Sequence, residues 1–326
     1  MDQPLLSVVI STHNSETVLG DCLKSVKTLS PEIIIVDNES TDDTGKIAQK
    51  FTPKILSHHN NPLALNQAKN YGFDHASGVW ILSLDPDERL SKKLAQEIKS
   101  VLASYLPRRQ AGKLKVYPVA KLYGAKSSPA AYQMPRQNII FGKWIKHGLW
   151  YPDEQIRLFQ KGQARFPAQH NHEKLEVAGA IGSLTHHLIH YNYTSVTQYL
   201  DKINHMYSDN EAQNLVAQGK KVAWYDAIRL PLTDFLNNFF AREGYKDGLH
   251  GLVLSLMQAF YTFVVFAKVW EKQQFAPYNH PRFLEQVSIE FKTKLKEYTY
   301  WYHQKIGIAP KVTSIKSTLK KLLSRF

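Results

Sequence analysis

Three short apolar runs within the first 90 residues each break off into a cluster of polar or acidic side chains. Residues 5–10, rich in β-branched side chains, run into Ser11-Thr12-His13-Asn14. Residues 33–36 run into Asp37-Asn38-Glu39-Ser40, and residues 79–84 into Asp85-Pro86-Asp87-Glu88. Runs of this length bounded by turn formers read as buried strands. Residues 54–57 add a further short strand. Between the strands, residues 18–26 carry apolar side chains at helical spacing (Val18, Leu19, Cys22, Leu23, Val26). Thr41 or Asp42 suits the cap of a helix running to Phe51, and residues 65–76 read as helix. Strands alternating with helices predict an α/β fold with a parallel sheet. In such sheets the ligand sits beyond the carboxyl ends of the strands, which is where all three polar clusters fall.

The pattern weakens after Leu106. Residues 107–190 read as irregular strands and loops with many aromatic and histidine side chains, and from about Tyr191 the chain is largely helical, over 196–217, 223–240, 249–270 and 285–306. With 326 residues, roughly two domains are expected. The division expected is 1–106 and 107–190 as the two halves of one α/β domain, followed by a helical region over 191–326.

Lys and Arg number 41 against 28 Asp and Glu, a net charge of +13, which points to polyanionic partners without choosing among nucleic acid, anionic lipid and phosphorylated substrate. No zinc-finger or RNA-recognition spacing accompanies the charge, so no nucleic-acid partner is expected. The one cysteine, Cys22, excludes an internal disulfide and points to a reducing compartment. The opening Met1-Asp2-Gln3-Pro4 lacks the basic start and long apolar stretch of a signal peptide, so a cytoplasmic location is expected.

Asp85-Pro86-Asp87 is the central constellation. Two carboxylates one residue apart at a strand end can face one cavity and hold Mg2+ or Mn2+ together with substrate phosphates. Such an ion would neutralise charge growing on a departing diphosphate. A bare Asp-x-Asp is more often a solvated turn that caps the next helix; the preceding strand and the other strand-end clusters are what favour the ligand reading. Asp37 can accept hydrogen bonds from a nucleobase or ribose; it also suits a plain turn. Lys69-Asn70 lies on a helix that can face phosphate or base. Asp153-Glu154, far along the chain and flanked by Trp150 and Tyr151, suits a base that removes an acceptor proton beside a sugar-stacking face. His172-Glu173 suits a metal ligand or phosphate contact, although a structural histidine is the commoner case. His186, His187 and His190 lack the spacing of a zinc helix and read as structural or acceptor-facing.

Taken together, residues 6–14, 35–42 and 84–89 resemble the three signature blocks of family 2 glycosyltransferases. Pro135-Arg136-Gln137-Asn138, residues 142–148, Tyr151-Pro152-Asp153, Arg157-Leu158-Phe159, His172-Glu173-Lys174 and Tyr245-Lys246-Asp247-Gly248 are similar to the lipopolysaccharide-core glucosyl/heptosyl transferase-like subgroup. The resemblance covers about residues 5–271. It implies a GT-A (Rossmann-like) fold and inverting transfer from a nucleotide-diphosphate sugar to a glycan or glycolipid hydroxyl. It implies Asp37 on the nucleobase, Asp85 facing ribose or metal, Asp87 on the metal, and Asp153 as base, with Glu154 the neighbouring alternative. Ser11, His13, Asn14, Glu16, Lys69 and Asn70 would line the donor site, and His172 would add a metal ligand. Asn38-Glu39 and Pro86 depart from the small residues common at those places. The alternative kept beside this reading is a nucleotide-sugar-binding protein without turnover.

Residues 249–270 are apolar enough to approach a membrane span but contain His250 and Gln258, and a core or interfacial helix is the favoured reading. In residues 310–326, Val312, Ile315, Leu319, Leu322, Leu323 and Phe326 share one helical face, while Lys316, Lys320, Lys321 and Arg325 fall mainly elsewhere. This suits either an anionic membrane surface or docking on the chain's own domain. A peripheral enzyme on the inner face of the cell membrane is the expectation.

Overall fold

The computed structural model describes residues 4–61, 64–105, 108–110, 113–115, 129–168 and 173–307. His172 and the basic stretch 310–326 lie outside the described residues. Two compact units are present: residues 1–146 with 150–210, and residues 147–149 with 211–326.

The first unit holds the strands β1 (Leu6–Thr12), β2 (Glu32–Asp37), β3 (Ile55–Ser57), β4 (Trp80–Leu84), β5 (Glu88–Leu90), β6 (Arg108–Gln110), β7 (Lys113–Lys115) and β8 (Ala131–Ile140). It continues with β9 (Lys143–Trp144), β10 (Glu154–Gln160), β11 (Ala164–Arg165), β12 (Glu176–Val177), β13 (Ile181–Ser183) and β14 (Leu188–Tyr193). Ten of these form one sheet with the order β3-β2-β1-β4-β10-β8-β14-β5, β9 and β13 both pairing with β8. The first four strands are parallel, as their apolar runs predict. The sheet as a whole is mixed, because β10 enters antiparallel to both β4 and β8.

Both faces of the parallel strands are covered, which is why these strands read as unbroken apolar runs rather than alternating ones. Helices α1 (Leu19–Val26) and α4 (Lys92–Ser104) join Val8, Ile10, Leu82 and Leu84 in one core. Helix α3 (Leu65–His75) covers the opposite face, where Phe73 meets Val9, Ile34, Ile81 and Phe159. A Cβ at Gly72 of α3 would stand 2.4 Å from Val9 Cγ1 and 2.9 Å from Val36 Cγ2, so the helix lies on the sheet at a distance only glycine permits. Helix α2 (Thr44–Gln49) follows β2; Asp43 is its N-cap residue, and Asp42 Oδ1 accepts from the Thr44 N–H (3.0 Å).

Parallel register aligns the strand ends. Thr12 lies opposite Asp37, Asp37 opposite Ser57, and Ile10 opposite Leu84. On the other side of the sheet, His190 of β14 lies between Asn138 of β8 and Glu88 of β5. The predicted helix over 196–217 is α5 (Val196–Lys202), a π-helical turn (Ile203–Tyr207) and α6 (Ser208–Ala217).

The second unit is built on α7 (Asp226–Leu236), α8 (Leu249–Lys272) and α9 (Phe283–Ile306). Arg229 of α7 makes a two-pronged bond to Glu290 of α9 (2.7 and 2.6 Å). Gly251 of α8 sits against the Gly244 backbone, where a Cβ would come within 1.8 Å of the carbonyl oxygen. Buried Asp247 accepts from the His147 N–H (2.9 Å). Among the described residues α8 alone is long and apolar enough to cross a membrane, and a third of its most apolar window is buried. Leu249, Leu256, Phe260, Phe263 and Trp270 of α8 are exposed. Their spacing of 7, 4, 3 and 7 residues places them on one stripe of the helix.

Candidate active site

The loops that leave β1 and β2 are laced together by side chains that satisfy each other's backbone. Asn14 Oδ1 accepts from the Thr41 N–H (2.8 Å), and the Asn14 N–H donates to Ser40 Oγ (3.0 Å). The Ser15 N–H donates to Thr44 Oγ1 (2.7 Å), the Glu16 N–H to Asp42 Oδ2 (3.1 Å), and the Asp43 N–H to Glu16 Oε2 (3.0 Å). Buried Asn38 donates through Nδ2 to Ser11 Oγ and to the Thr12 carbonyl (both 2.9 Å). His13 Nδ1 lies 2.6 Å from the Asn38 carbonyl oxygen, which can only accept, so that nitrogen carries the proton. Its Nε2 then accepts from the side-chain amides of Asn14 and Asn60 (3.3 and 3.4 Å). Asp37 Oδ1 accepts from Ser40 Oγ (2.5 Å).

Beyond β4 a chain of alternating charges crosses the sheet. Lys69 Nζ is 2.7 Å from Asp85 Oδ1, and Arg157 Nη2 is 2.6 Å from Asp85 Oδ2. The same Arg157 nitrogen lies 2.6 Å from Glu88 Oε1, and Arg136 Nη1 lies 3.4 Å from that oxygen. Arg136 Nε in turn donates to Asp153 Oδ2 (2.7 Å). Glu88 is fully buried and survives there because two guanidiniums and the Asp85 N–H (3.0 Å) surround it. Burial alone would raise the Asp85 carboxyl, but the charges of Arg157 and then Lys69 outweigh it and hold it well below the usual carboxylate range. Burial would lower Arg157; Asp85 and Glu88 reverse this and raise it.

A second route leads from Asp153 to Asp87. Asn138 Nδ2 donates to the Trp150 carbonyl (2.9 Å) and to Asp153 Oδ2 (2.8 Å), which fixes the amide's orientation. Its Oδ1 must therefore accept from His190 Nδ1 (2.6 Å), leaving His190 Nε2 facing Asp87 Oδ2 at 3.5 Å. Asp87 Oδ1 is buried without a hydrogen-bond partner among the described residues. Gln155 Nε2 completes the grip on Asp153 at Oδ1 (2.6 Å). Burial pushes Asp153 up, but Arg136, then the Asn138 and Gln155 amides, bring it below its ordinary value. Glu154 moves the other way, raised by burial and by the Asp153 charge.

Rings border the Asp153 side. Trp144 and Tyr151 approach edge-to-face (6.1 Å), His187 meets Trp144 at 5.2 Å and stacks on Tyr151 at 6.2 Å, and Lys146 Nζ lies 4.4 Å from the Trp144 ring centre. Tyr193 and Tyr207, the latter in the π-helical turn, hydrogen-bond to each other, and burial raises both phenols.

The structure thus brings together Asp37, Ser11, His13, Asn14, Lys69, Asp85, Asp87 and Asp153 at one end of the sheet. Glu16 serves the start of α2. Asn70, expected beside the donor, spends both ends of its amide on the Phe166 backbone (2.9 and 3.1 Å), a structural use that ties the chain after β11 to α3. Both Asp85 oxygens are taken by cations, which leaves Asp87 as the carboxylate with an open oxygen. Among the described residues no three His, Cys, Asp or Glu gather around a point where a metal could sit. Glu88, Arg136, Asn138 and Arg157 stand in the motifs quoted above without an individual role, and His190 reads there only as structural or acceptor-facing. Arg157 carries one signal of its own, a charge inside the apolar strand Ile156-Arg157-Leu158-Phe159.

The model of "Glycosyl transferase family 2" matches residues 7–140, β1 through the end of β8. An uncharacterized glycosyltransferase of Rickettsia conorii is 31% identical over 276 residues, covering 82% of this chain and 90% of the relative. The lipopolysaccharide core biosynthesis glycosyltransferase LpsC of Rhizobium meliloti is 25% identical, covering 82% and 92%. Among solved structures, Staphylococcus aureus TarS (1–349) in complex with UDP-GlcNAc aligns over 94% of this chain and 93% of its own, with a TM-score of 0.40 and 13% identity. The chain belongs to glycosyltransferase family 2. It is a glycosyltransferase with a GT-A type mixed sheet and a helical C-terminal region.

Proposed function

We propose that this enzyme moves a sugar, with inversion, from a nucleoside-diphosphate sugar to a hydroxyl of a lipid-linked glycan on the inner face of the cell membrane. The observation that carries the reading is the buried, unpartnered Asp87 Oδ1 at the end of β4, joined to Asp153 through His190 and Asn138. Such an oxygen is costly unless a ligand satisfies it. An oxygen donor suits Mg2+ or Mn2+, which need only one or two carboxylates when phosphates complete the shell. Asp87 would hold that ion, with Asp85 beside it, and when bound the ion would offset charge on the leaving diphosphate.

The chain's own residues divide the remaining work. Asp37 accepts from base or ribose at the end of β2. Lys69 supplies a cation to the diphosphate. Asp153 removes the proton of the acceptor hydroxyl, whose oxygen then attacks the anomeric carbon on the face opposite the nucleotide. Trp144, Tyr151 and His187 border that base and give an acceptor sugar a stacking surface. The LpsC relative supports a glycolipid acceptor. The net charge of +13, the basic 310–326 stretch and the exposed stripe of α8 support an anionic membrane surface.

The test is a nucleotide-sugar panel read by release of nucleoside diphosphate, with and without Mn2+, on wild type, Asp87→Ala and Asp153→Asn. Metal-dependent turnover lost in both variants is expected. Donor binding with no transfer or hydrolysis by wild type would turn the reading to a binding protein.

A further inference from the structure

Asp153 does not stand alone at the acceptor side. Its Oδ2 is gripped by Arg136 Nε (2.7 Å), and the Arg136 backbone N–H also donates to the Asp153 carbonyl (2.7 Å). The far end of the same guanidinium points at Glu88, which Arg157 ties to Asp85. Glu88 is therefore a buried anion shared by two cations, one serving the donor-side carboxylate and one serving the acceptor-side carboxylate. This arrangement fixes both carboxylates to the rigid strands β8 and β10 rather than to loops.

We infer that Arg136 is a positioning residue, held between Glu88 and Asp153, that aims the Asp153 carboxylate at the acceptor hydroxyl and tunes its basicity, with Glu88 as the counter-charge that limits its pull. The inference rests on Asp153 being the base. Every group facing Asp153 enters the balance. Arg136 on β8 supplies the cation, and Asn138 on β8 supplies a neutral donor with His190 of β14 behind it. Glu154 and Gln155 adjoin on the chain, Glu154 as an anion whose carboxyl is raised by burial and by the Asp153 charge. A carboxylate beside a cation gives up basicity for fixed geometry. Glu88 draws part of the Arg136 charge away and leaves Asp153 able to accept a proton in the transition state.

The two partners act with opposite sign, and that separates this role from mere packing. Replacing Arg136 by Gln should raise the Asp153 midpoint by about one pH unit or more, and replacing Glu88 by Gln should lower it. The midpoint is read in the donor-free enzyme from the 13C shift of a labelled Asp153 carboxyl, and the kinetic effect from the acid limb of kcat/KM. In Arg136→Gln the limb should move up with the midpoint while kcat falls at least about tenfold. Arg136→Lys should keep the midpoint near wild type yet lose kcat, because an ammonium cannot reach both carboxylates in a fixed fork. If Arg136→Gln does not fold, Arg136→Lys and Glu88→Gln carry the test. A midpoint unmoved in folded Arg136→Gln, or shifts of one sign in both Gln variants, overturns the inference. A midpoint that moves while the kinetic limb stays fixed upholds the electrostatic link and instead removes Asp153 as the base.

Discussion

Asp153 accepts three hydrogen bonds, two of them at one oxygen, and is held below its ordinary value. In the proposed role of base it would be ionised over the whole neutral range, so kcat/KM should hold level down to about pH 4, the unperturbed carboxylate region, before an acid limb appears. Asp153→Asn should lower kcat by about 10²- to 10⁴-fold, and Glu154→Gln should leave most of it. The reverse result would make Glu154, with its raised pKa, the base. Glu32 gives a separate stability prediction. Burial would raise it, but Lys54 (2.7 Å), Ser7 and Ser77 bring it down to about 2. Its folded value lies below its unfolded value, so its contribution is complete above about pH 5 and is lost as pH falls toward 2. Glu32→Gln should cost about 2 kcal/mol at pH 7 and little at pH 2, measured by urea melts. Asp85, Asp87 and Asp153 stand out in the sequence because each is part of an acidic pair beside an apolar strand run. Arg157 and Glu88 do not, because a charge within an apolar run says only that some partner is near, and Glu88 reads as one more member of its acidic cluster. The partner lies 69 residues away and is named by the fold alone.

At the scale of elements, β1, β2 and β4 were legible because strands buried on both faces must be apolar throughout, and their crossover helices carry the 3.6-residue period. The order β10-β8-β14-β5 was not, since these strands mix buried charge, amides and rings around the site and so lose their period. Asn70 shows the same limit on a helix. Sequence placed it beside the donor with Lys69, but neighbours on a helix point about 100° apart, and only Lys69 reaches Asp85. Gly72 is the element-scale weak point. A methyl group there must displace Val9 or Val36, so Gly72→Ala should cost about 1–3 kcal/mol by overpacking despite Ala's better helix propensity. A thermal melt no lower than wild type would show that α3 can lift from the sheet.

For the whole molecule, the charge of +13 and the apolar stripe of α8 give a joint prediction. The enzyme should float with vesicles containing anionic lipid, and binding should weaken with salt. Phe260→Ser with Phe263→Ser should reduce what remains at high salt; unchanged flotation would exclude α8 from the contact. The sheet order has a consequence of another kind, for synthesis. β4 and β5 leave the ribosome early, yet their partners β10 and β14 come only after residue 153. Until then β4 has an open edge, and Asp85 and Glu88 lack the Arg157 guanidinium that ties them together. The turn after β4 is therefore completed only when β10, with Asp153 just ahead of it, is in place, so the two carboxylate-bearing ends proposed for donor and acceptor are finished in one step.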